Sequence, residues 1–289
     1  MRQVAHNEPE NYSRVQRLER ANLEQIEALN QRGGRTLSIA DLIRAGTISA
    51  EMAAYVGHRI SQGASVLTAA NPGGAGKTAL LAALLGFAPR GMRIVTVESA
   101  ETVADAEAEP SPRCYLAHEI GAGHWYGYLW GPIVARYLKL ASGPHMVASC
   151  LHADAMDELR AKLSARPLTV PSSALLAIDL ILFMHVDRGS VRDAGGYRRR
   201  VAAIYESDRE GETHRLVFRW KGERDAFERT DQLPLNAQVV ALAQHLTMLA
   251  ASGPQEFARF RSAYLSYCDS AARGAHGGGA PGTEPDRRA

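Results

Sequence analysis

The run Leu67-Thr-Ala-Ala-Asn71-Pro72-Gly73-Gly74-Ala75-Gly76-Lys77-Thr78 holds the residue types that bind a polyphosphate. Closely spaced glycines let a backbone fold into a nest of N–H groups, and a helix beginning at the end of the nest adds the positive end of its dipole. In such a loop the Lys77 ammonium reaches the β and γ phosphates of a nucleoside triphosphate, and the Thr78 hydroxyl faces Mg²⁺. The residues expected to cradle the nucleotide are therefore Asn71 to Thr78 and Ala79 on the first helical turn. One position departs from the Gly-x-x-x-x-Gly-Lys-Ser/Thr pattern, because Asn71 stands where the first glycine would be. Asparagine tolerates a left-handed backbone better than other side-chain-bearing residues, so the loop can still close.

Transfer of a phosphoryl group to water needs three further things. The charge on the phosphate must be offset, a metal must bridge two phosphates, and a carboxylate must orient or deprotonate the attacking water. Glu98 follows the apolar run Arg93 to Val97, at the sheet edge where α/β proteins place ligands. Glu119 ends a second apolar run and His152 follows a third, Met146 to Leu151. Taken singly, each has a plainer reading: a solvated loop carboxylate for Glu98, a satisfied polar side chain for His152. His118, His124 and His145 lack the spacing of a zinc site.

These groups need a scaffold, and the hydrophobic pattern describes one. From Ala64 onward β-rich runs alternate with helical ones. Ser65 to Ala69, Arg93 to Val97, Cys114 to His118 and Met146 to Leu151 read as buried strands, with helices after Lys77, Tyr126 and Asp154. Such alternation predicts an α/β fold, a mostly parallel sheet covered by helices. Ala177 to Val186, Tyr197 to Ser207 and Thr213 to Trp220 read as an antiparallel extension of that sheet. Helices are predicted over Asn236 to Ala250 and Gln255 to Tyr267. Ahead of the sheet, Ser13 to Asn30 has the spacing of an amphipathic helix, and Ser38 and Ser49 each cap a short one. The segment 271–289, rich in Gly, Pro and Ala, is expected to be disordered.

With 289 residues, 46% apolar and 22% charged, the composition is that of a globular protein with a sizeable core. The formal charge of +2 gives no argument for nucleic acid as a partner. Three scattered cysteines, Cys114, Cys150 and Cys268, predict buried thiols in a reducing compartment. No apolar run approaches the roughly 20 residues needed to span a bilayer, and the first residues lack a signal-peptide core. A cytoplasmic location is the expectation.

The order of motifs resembles the traffic ATPases of type II and type IV secretion and type IV pilus assembly, most closely their Tad-pilus-like branch. The resemblance runs from about Arg35 to Pro234. It is carried by Arg35-Thr-Leu-Ser-Ile-Ala-Asp-Leu-Ile-Arg-Ala-Gly-Thr-Ile-Ser49, the phosphate loop, Ile94-Val-Thr-Val-Glu98-Ser-Ala-Glu101 and Tyr115-Leu-Ala-His-Glu119-Ile. Then come Ser149-Cys-Leu-His152-Ala-Asp154, Ala177-Ile-Asp179-Leu-Ile-Leu, Arg198-Arg-Arg-Val-Ala-Ala-Ile-Tyr-Glu206 and Leu216-Val-Phe-Arg-Trp220. It implies a RecA-like P-loop ATPase that uses ATP and Mg²⁺. Glu98 matches the proposed catalytic base, Glu119 the carboxylate that organises Mg²⁺ and its waters, and His152 the histidine that reads the γ-phosphate. It also implies a homo-oligomeric ring, expected as a hexamer, that works on an inner-membrane platform protein from the cytoplasmic face of the membrane, with no specific nucleic acid.

Three departures qualify that implication. Only about twenty residues separate Glu98 from Glu119, where family members carry a longer stretch with a helix and arginines. The box around Glu119 continues as Ile-Gly-Ala-Gly-His-Trp125-Tyr126-Gly-Tyr128-Leu-Trp130; packing beside a glycine turn is the plain expectation for these aromatics, and partner docking or base stacking are the alternatives. The amphipathic helix of residues 1–34 stands in place of the family's larger N-terminal domain, followed by an ATPase domain over 35–235, C-terminal helices over 236–270 and the tail. In the family that missing domain supplies arginines to the nucleotide. Arg35, Arg44, Arg59 and Arg113 are the candidates here, Arg59 and Arg113 foremost, while Arg198 to Arg200 read as a solvated strand end or subunit contact. Two other functions stay open: a nucleotide-binding accessory subunit with little hydrolysis, and a RecA-like DNA translocase.

Overall fold

A computed structural model describes residues 13–31, 33–71, 73–187, 197–230 and 233–276. Pro72 of the phosphate loop and the tail beyond His276 lie outside them. The sheet is built from β1 (Val66–Ala69), β2 (Arg93–Thr96), β3 (Arg113–Ile120), β4 (Tyr128–Leu129), β5 (Met146–Leu151), β6 (Leu180–Asp187), β7 (Arg198–Asp208), β8 (Thr213–Lys221) and β9 (Ala226–Arg229). Their order is β2-β3-β5-β1-β6-β7-β8-β9, with β4 paired to the end of β3. Every pairing from β2 to β6 is parallel, and β7, β8 and β9 continue the sheet antiparallel. One strand, β5, separates the loop-bearing β1 from the Glu119-bearing β3. The fold is α/β, a mostly parallel sheet covered by helices, as the alternation predicts, and it is consistent with the RecA-like fold that the resemblance implies.

The parallel strands serve two cores by simple alternation. Cys114 and Leu116 of β3, Met146 and Ala148 of β5, and Leu180 and Leu182 of β6 face one core. Tyr115 and Ala117, Val147, and Ile181 and Phe183 face the other. The first core is closed by α1 (Arg14–Glu27), α2 (Ile39–Arg44), α3 (Ala50–Ser61), α4 (Lys77–Leu85), α9 (Ala237–Ala251) and α10 (Phe257–His276). The second lies under α5 (Ala100–Ala108), α6 (Ile133–Lys139), α7 (Met156–Ser164) and α8 (Ser172–Leu176). Ser13, Ser38 and Ser49 cap α1, α2 and α3 through their hydroxyls, the first two as full capping boxes.

The helix α1 is not an appendage. On β2, the edge strand, the Ile94 N–H donates to Asn22 Oδ1 at 2.8 Å and the Thr96 N–H to Gln25 Oε1 at 3.1 Å, while Asn22 Nδ2 donates to Met92 O. Side chains of α1 thus satisfy backbone groups that would otherwise invite another strand. Arg261 of α10 ties the same helix down through Glu19 and donates to the carbonyls of Gly86 and Ala88.

Several boundaries differ from expectation. A nine-residue helix, α5, capped by Ser99, occupies the short stretch between Glu98 and Glu119. The strand expected from Ala177 begins at Leu180, because Ser172–Leu176 form a helical turn and the Asp179 carboxylate accepts from the Ser65 N–H at 2.8 Å. Helix α10 runs to His276, past Ala271, where the tail was expected to start; Ala271 and Ala272 favour its continuation. The thiols of Cys114 and Cys150 are buried, as expected, and Cys268 is half-buried.

Candidate phosphate-binding site

The loop leaves β1 at Ala69 and enters α4 at Lys77, so it lies at the carboxyl edge of the parallel strands. Gly74 and Gly76 have φ of +80° and +96°, values a side-chain-bearing residue resists. The Thr68 hydroxyl donates to the Lys77 carbonyl at 3.2 Å and braces the turn into the helix. Lys77 is buried, and its Nζ donates to the Ala70 carbonyl at 3.0 Å, with His152 Nδ1 at 3.4 Å.

The Asn71 side chain is wired into α7. Its backbone N–H donates to Asp154 Oδ1 at 2.7 Å. Its amide donates to Asp154 Oδ2 and to both oxygens of Glu158, and its Oδ1 accepts from Lys162 Nζ at 3.1 Å. The Asp154 N–H first, then Lys162 and Asn71, pull the Glu158 carboxyl down to about 2. His152 Nδ1 lies 2.8 Å from the Asn71 carbonyl, and since a carbonyl only accepts, Nδ1 carries the proton there. The position where the pattern has glycine is thus held by four side chains, none of them adjacent in sequence.

Glu119 reaches this corner from the next strand but one. Ala117 pairs with Ser149 and Ile120 with Leu151, three steps on β3 against two on β5, so an extra residue bulges out at His118–Glu119. Such bulges re-aim a side chain. The Glu119 carboxyl is buried, its Oε1 accepts no hydrogen bond, and His152 Nε2 is 3.5 Å away. Burial pushes this carboxyl up, and Lys77 and His152 pull it part of the way back. Its neighbour His118 is neutral: burial drives it down to about 4, and Nδ1 meets Gln31 Nε2 at 3.0 Å.

A cavity of about 680 Å³ opens over the loop, lined by Gly73 to Ala79, Glu119 and His152, by Arg35 and Leu37 from the α1–α2 connection, and by Met184 and Arg198 to Arg200. Glu98 lies outside this lining. It follows β2, is exposed, and accepts from the Tyr126 hydroxyl at 3.0 Å. The structure therefore brings Lys77, Thr78, Glu119 and His152 together and leaves Glu98 beside them, two strands out from β5. A buried carboxylate oxygen without a hydrogen bond, next to a helix-start threonine, is a donor set that suits a hard cation such as Mg²⁺.

The arginine expectations are corrected. Arg113 opens β3, at the edge opposite the loop, and pairs with Glu109. Arg59 pairs with Glu206, which sits across from Leu180 at the start of β6, again at the far edge. Arg44 and Arg35 both pair with Asp41, although Arg35 also lines the cavity. The residues missed are Arg199 and Arg200. Arg199 Nε donates to the Gly74 carbonyl at 2.9 Å, and Arg200 makes a two-pronged pair with Asp225 at 2.7 Å. Their signal was present as three arginines opening a strand, but its meaning depends on which way that strand runs. The aromatic segment also departs from expectation: Trp125 is 63% exposed and Trp130 46%, so neither packs in a core.

No family model and no curated protein matches the chain. Among solved structures it is similar to the VirB11 ATPase of the Brucella suis type IV secretion system, crystallised with sulphate. The identity is 15% and the TM-score 0.40, over 65% of this chain and 56% of that one. It is also similar to the Legionella pneumophila ATPase DotB, at 16% identity and TM-score 0.39, over 55% of this chain and 50% of that one. The chain spans a little over half the length of the first and half of the second.

Proposed function

We propose that the chain is an ATPase subunit of a secretion or type IV pilus machine, of the Tad-like kind, working as a homo-oligomeric ring against a membrane platform protein at the cytoplasmic face. The observation that carries the catalytic part is the convergence of Lys77, Thr78, Glu119 and His152 on one glycine nest from the ends of β1, β3 and β5. The motif order supports the machine and the ring.

In this reading the nest N–H groups and Lys77 bind the phosphates, Lys77 exchanging its Ala70 carbonyl for phosphate oxygens. His152, fixed through Nδ1 by the Asn71 carbonyl, presents Nε2 toward Glu119 and the phosphate side. Thr78 and Glu119 would hold Mg²⁺, which when bound offsets phosphate charge. Glu98 orients the attacking water. Steady-state ATP hydrolysis, measured over a range of protein concentrations with Glu98→Gln alongside, tests this: turnover that depends on Glu98 and rises with concentration is expected.

A second reading is favoured by one observation. Glu98 lies outside the cavity and is held by Tyr126, which suits a nucleotide-binding accessory subunit with little hydrolysis. Tight ATP binding without turnover would select it.

A further inference from the structure

The guanidinium of Arg199 is hydrogen-bonded to the loop, and the sequence motifs give it no role there. It comes from the start of β7. Because β7 runs antiparallel to β6, Arg198 pairs with Asp187 at the end of β6, and this places the arginines at the same edge as the phosphate loop. The side chain crosses the nest: Nε donates to the Gly74 carbonyl at 2.9 Å. A Cβ built on Gly76 would lie 3.2 Å from Arg199 Cδ and 3.4 Å from Met184 Cε, so glycine at 76 leaves the room that this crossing uses. The Tyr197 ring centroid lies 6.0 Å from the Arg199 guanidinium carbon. Among the described residues the Arg199 side chain makes no other hydrogen bond and no ion pair, unlike Arg198 and Arg200, which are paired with Asp225.

We propose that Arg199 is a phosphate-contacting residue supplied in cis, anchored on the loop through Nε and binding the terminal phosphate of a nucleoside triphosphate through its remaining donors. The proposal rests on the nucleotide-binding reading of the site. Its physical basis is geometric. A guanidinium has five donors in a fixed fork, so one can hold a carbonyl while others take an anion. The nest lies directly beneath it, and no carboxylate within the described residues neutralises it. A cation delivered by the same chain also fills the place for which Arg59 and Arg113 are too far from the loop.

The test is equilibrium binding of Mg·ATP and Mg·ADP, with ATP turnover, on the full chain and on Arg199→Ala and Arg199→Lys. Arg219→Ala, at an exposed ion pair with Glu228 on β8, serves as the control. Contact with the terminal phosphate predicts that Arg199→Ala weakens ATP about ten- to a hundredfold while ADP changes by less than about threefold, with Arg199→Lys restoring part of the loss. A purely structural brace through Gly74 would weaken both nucleotides alike, and that outcome overturns the proposal. So does ATP affinity and turnover equal to the parent chain. Failure of the parent chain to bind either nucleotide removes the site reading itself, a different result from a parent that binds while Arg199→Ala is silent.

Discussion

The two acidic corners of this sheet edge are built differently. At the β1–β5 corner Lys77 is held on Ala70, His152 on Asn71, and Asn71 on Asp154, Glu158 and Lys162, beside the buried Glu119 carboxyl. At the β2 corner Glu98 is exposed and takes one hydrogen bond, from Tyr126 on a segment whose neighbours Trp125 and Trp130 face solvent. The half that the proposed reading assigns to phosphate is already organised by hydrogen bonds, and preorganised dipoles and charges act most strongly. The half assigned to water lies in solvent, where a carboxylate is poorly fixed. The proposed reading therefore makes binding and hydrolysis separable by substitution.

The largest effect should come from breaking the fixed corner. Lys77→Ala removes the loop's own ammonium, and both nucleotide binding and turnover should fall below detection, by isothermal calorimetry and phosphate release respectively. Next comes Glu98→Gln, which leaves the nest untouched. Affinity should stay within about twofold while turnover drops about a hundredfold, the scale of a lost general base. Turnover unaffected by Glu98→Gln would hand the water-orienting role to Glu119 and erase the contrast between the corners.

A smaller effect tests the wiring. Asn71→Gly restores the usual loop glycine yet deletes the amide bonds to Asp154 and Glu158 and the acceptor for Lys162. These contacts are partly exposed, so the loss should be about 1 kcal/mol in chemical denaturation, with ATP affinity reduced severalfold. A variant as stable as the parent would show that Asn71 is merely tolerated.

The same contrast marks what the sequence makes legible. Strands β1, β2, β3 and β5 and the loop are local patterns, readable from apolar runs, glycines and a lysine–threonine pair. The Asn71 network is not, because its partners lie 81 to 91 residues away along the chain. The antiparallel run of β7 was expected, but the contact of Arg199 with Gly74 was not legible, because it joins residues 125 apart along the chain. Helix α5 was legible in principle, since Ser99 caps an alanine-rich run. The exposure of Trp125 and Trp130 was not, since packing beside the glycine turn was the expectation for this aromatic cluster.

The smallest expected effect bears on Glu119. Burial raises its carboxyl above the ordinary 4.5, and Lys77 and His152 only partly oppose this. A carboxyl raised on folding contributes stability below its unfolded value and loses that contribution as pH rises through the folded value. Well above its raised value the ionised carboxylate is under-solvated, and in the proposed reading a bound cation would offset that cost. Glu119→Gln removes that charge while keeping its shape. Its melting temperature at pH 8 should exceed the parent's by about 2–4 °C, and the gap should close toward pH 5. Adding Mg·ATP should reverse the order, because only the parent carboxylate can be stabilised by the bound cation. A variant that melts below the parent at pH 8 without nucleotide would mean that Lys77 and His152 outweigh burial, and that this corner is a satisfied ion cluster and not a cation site held in reserve.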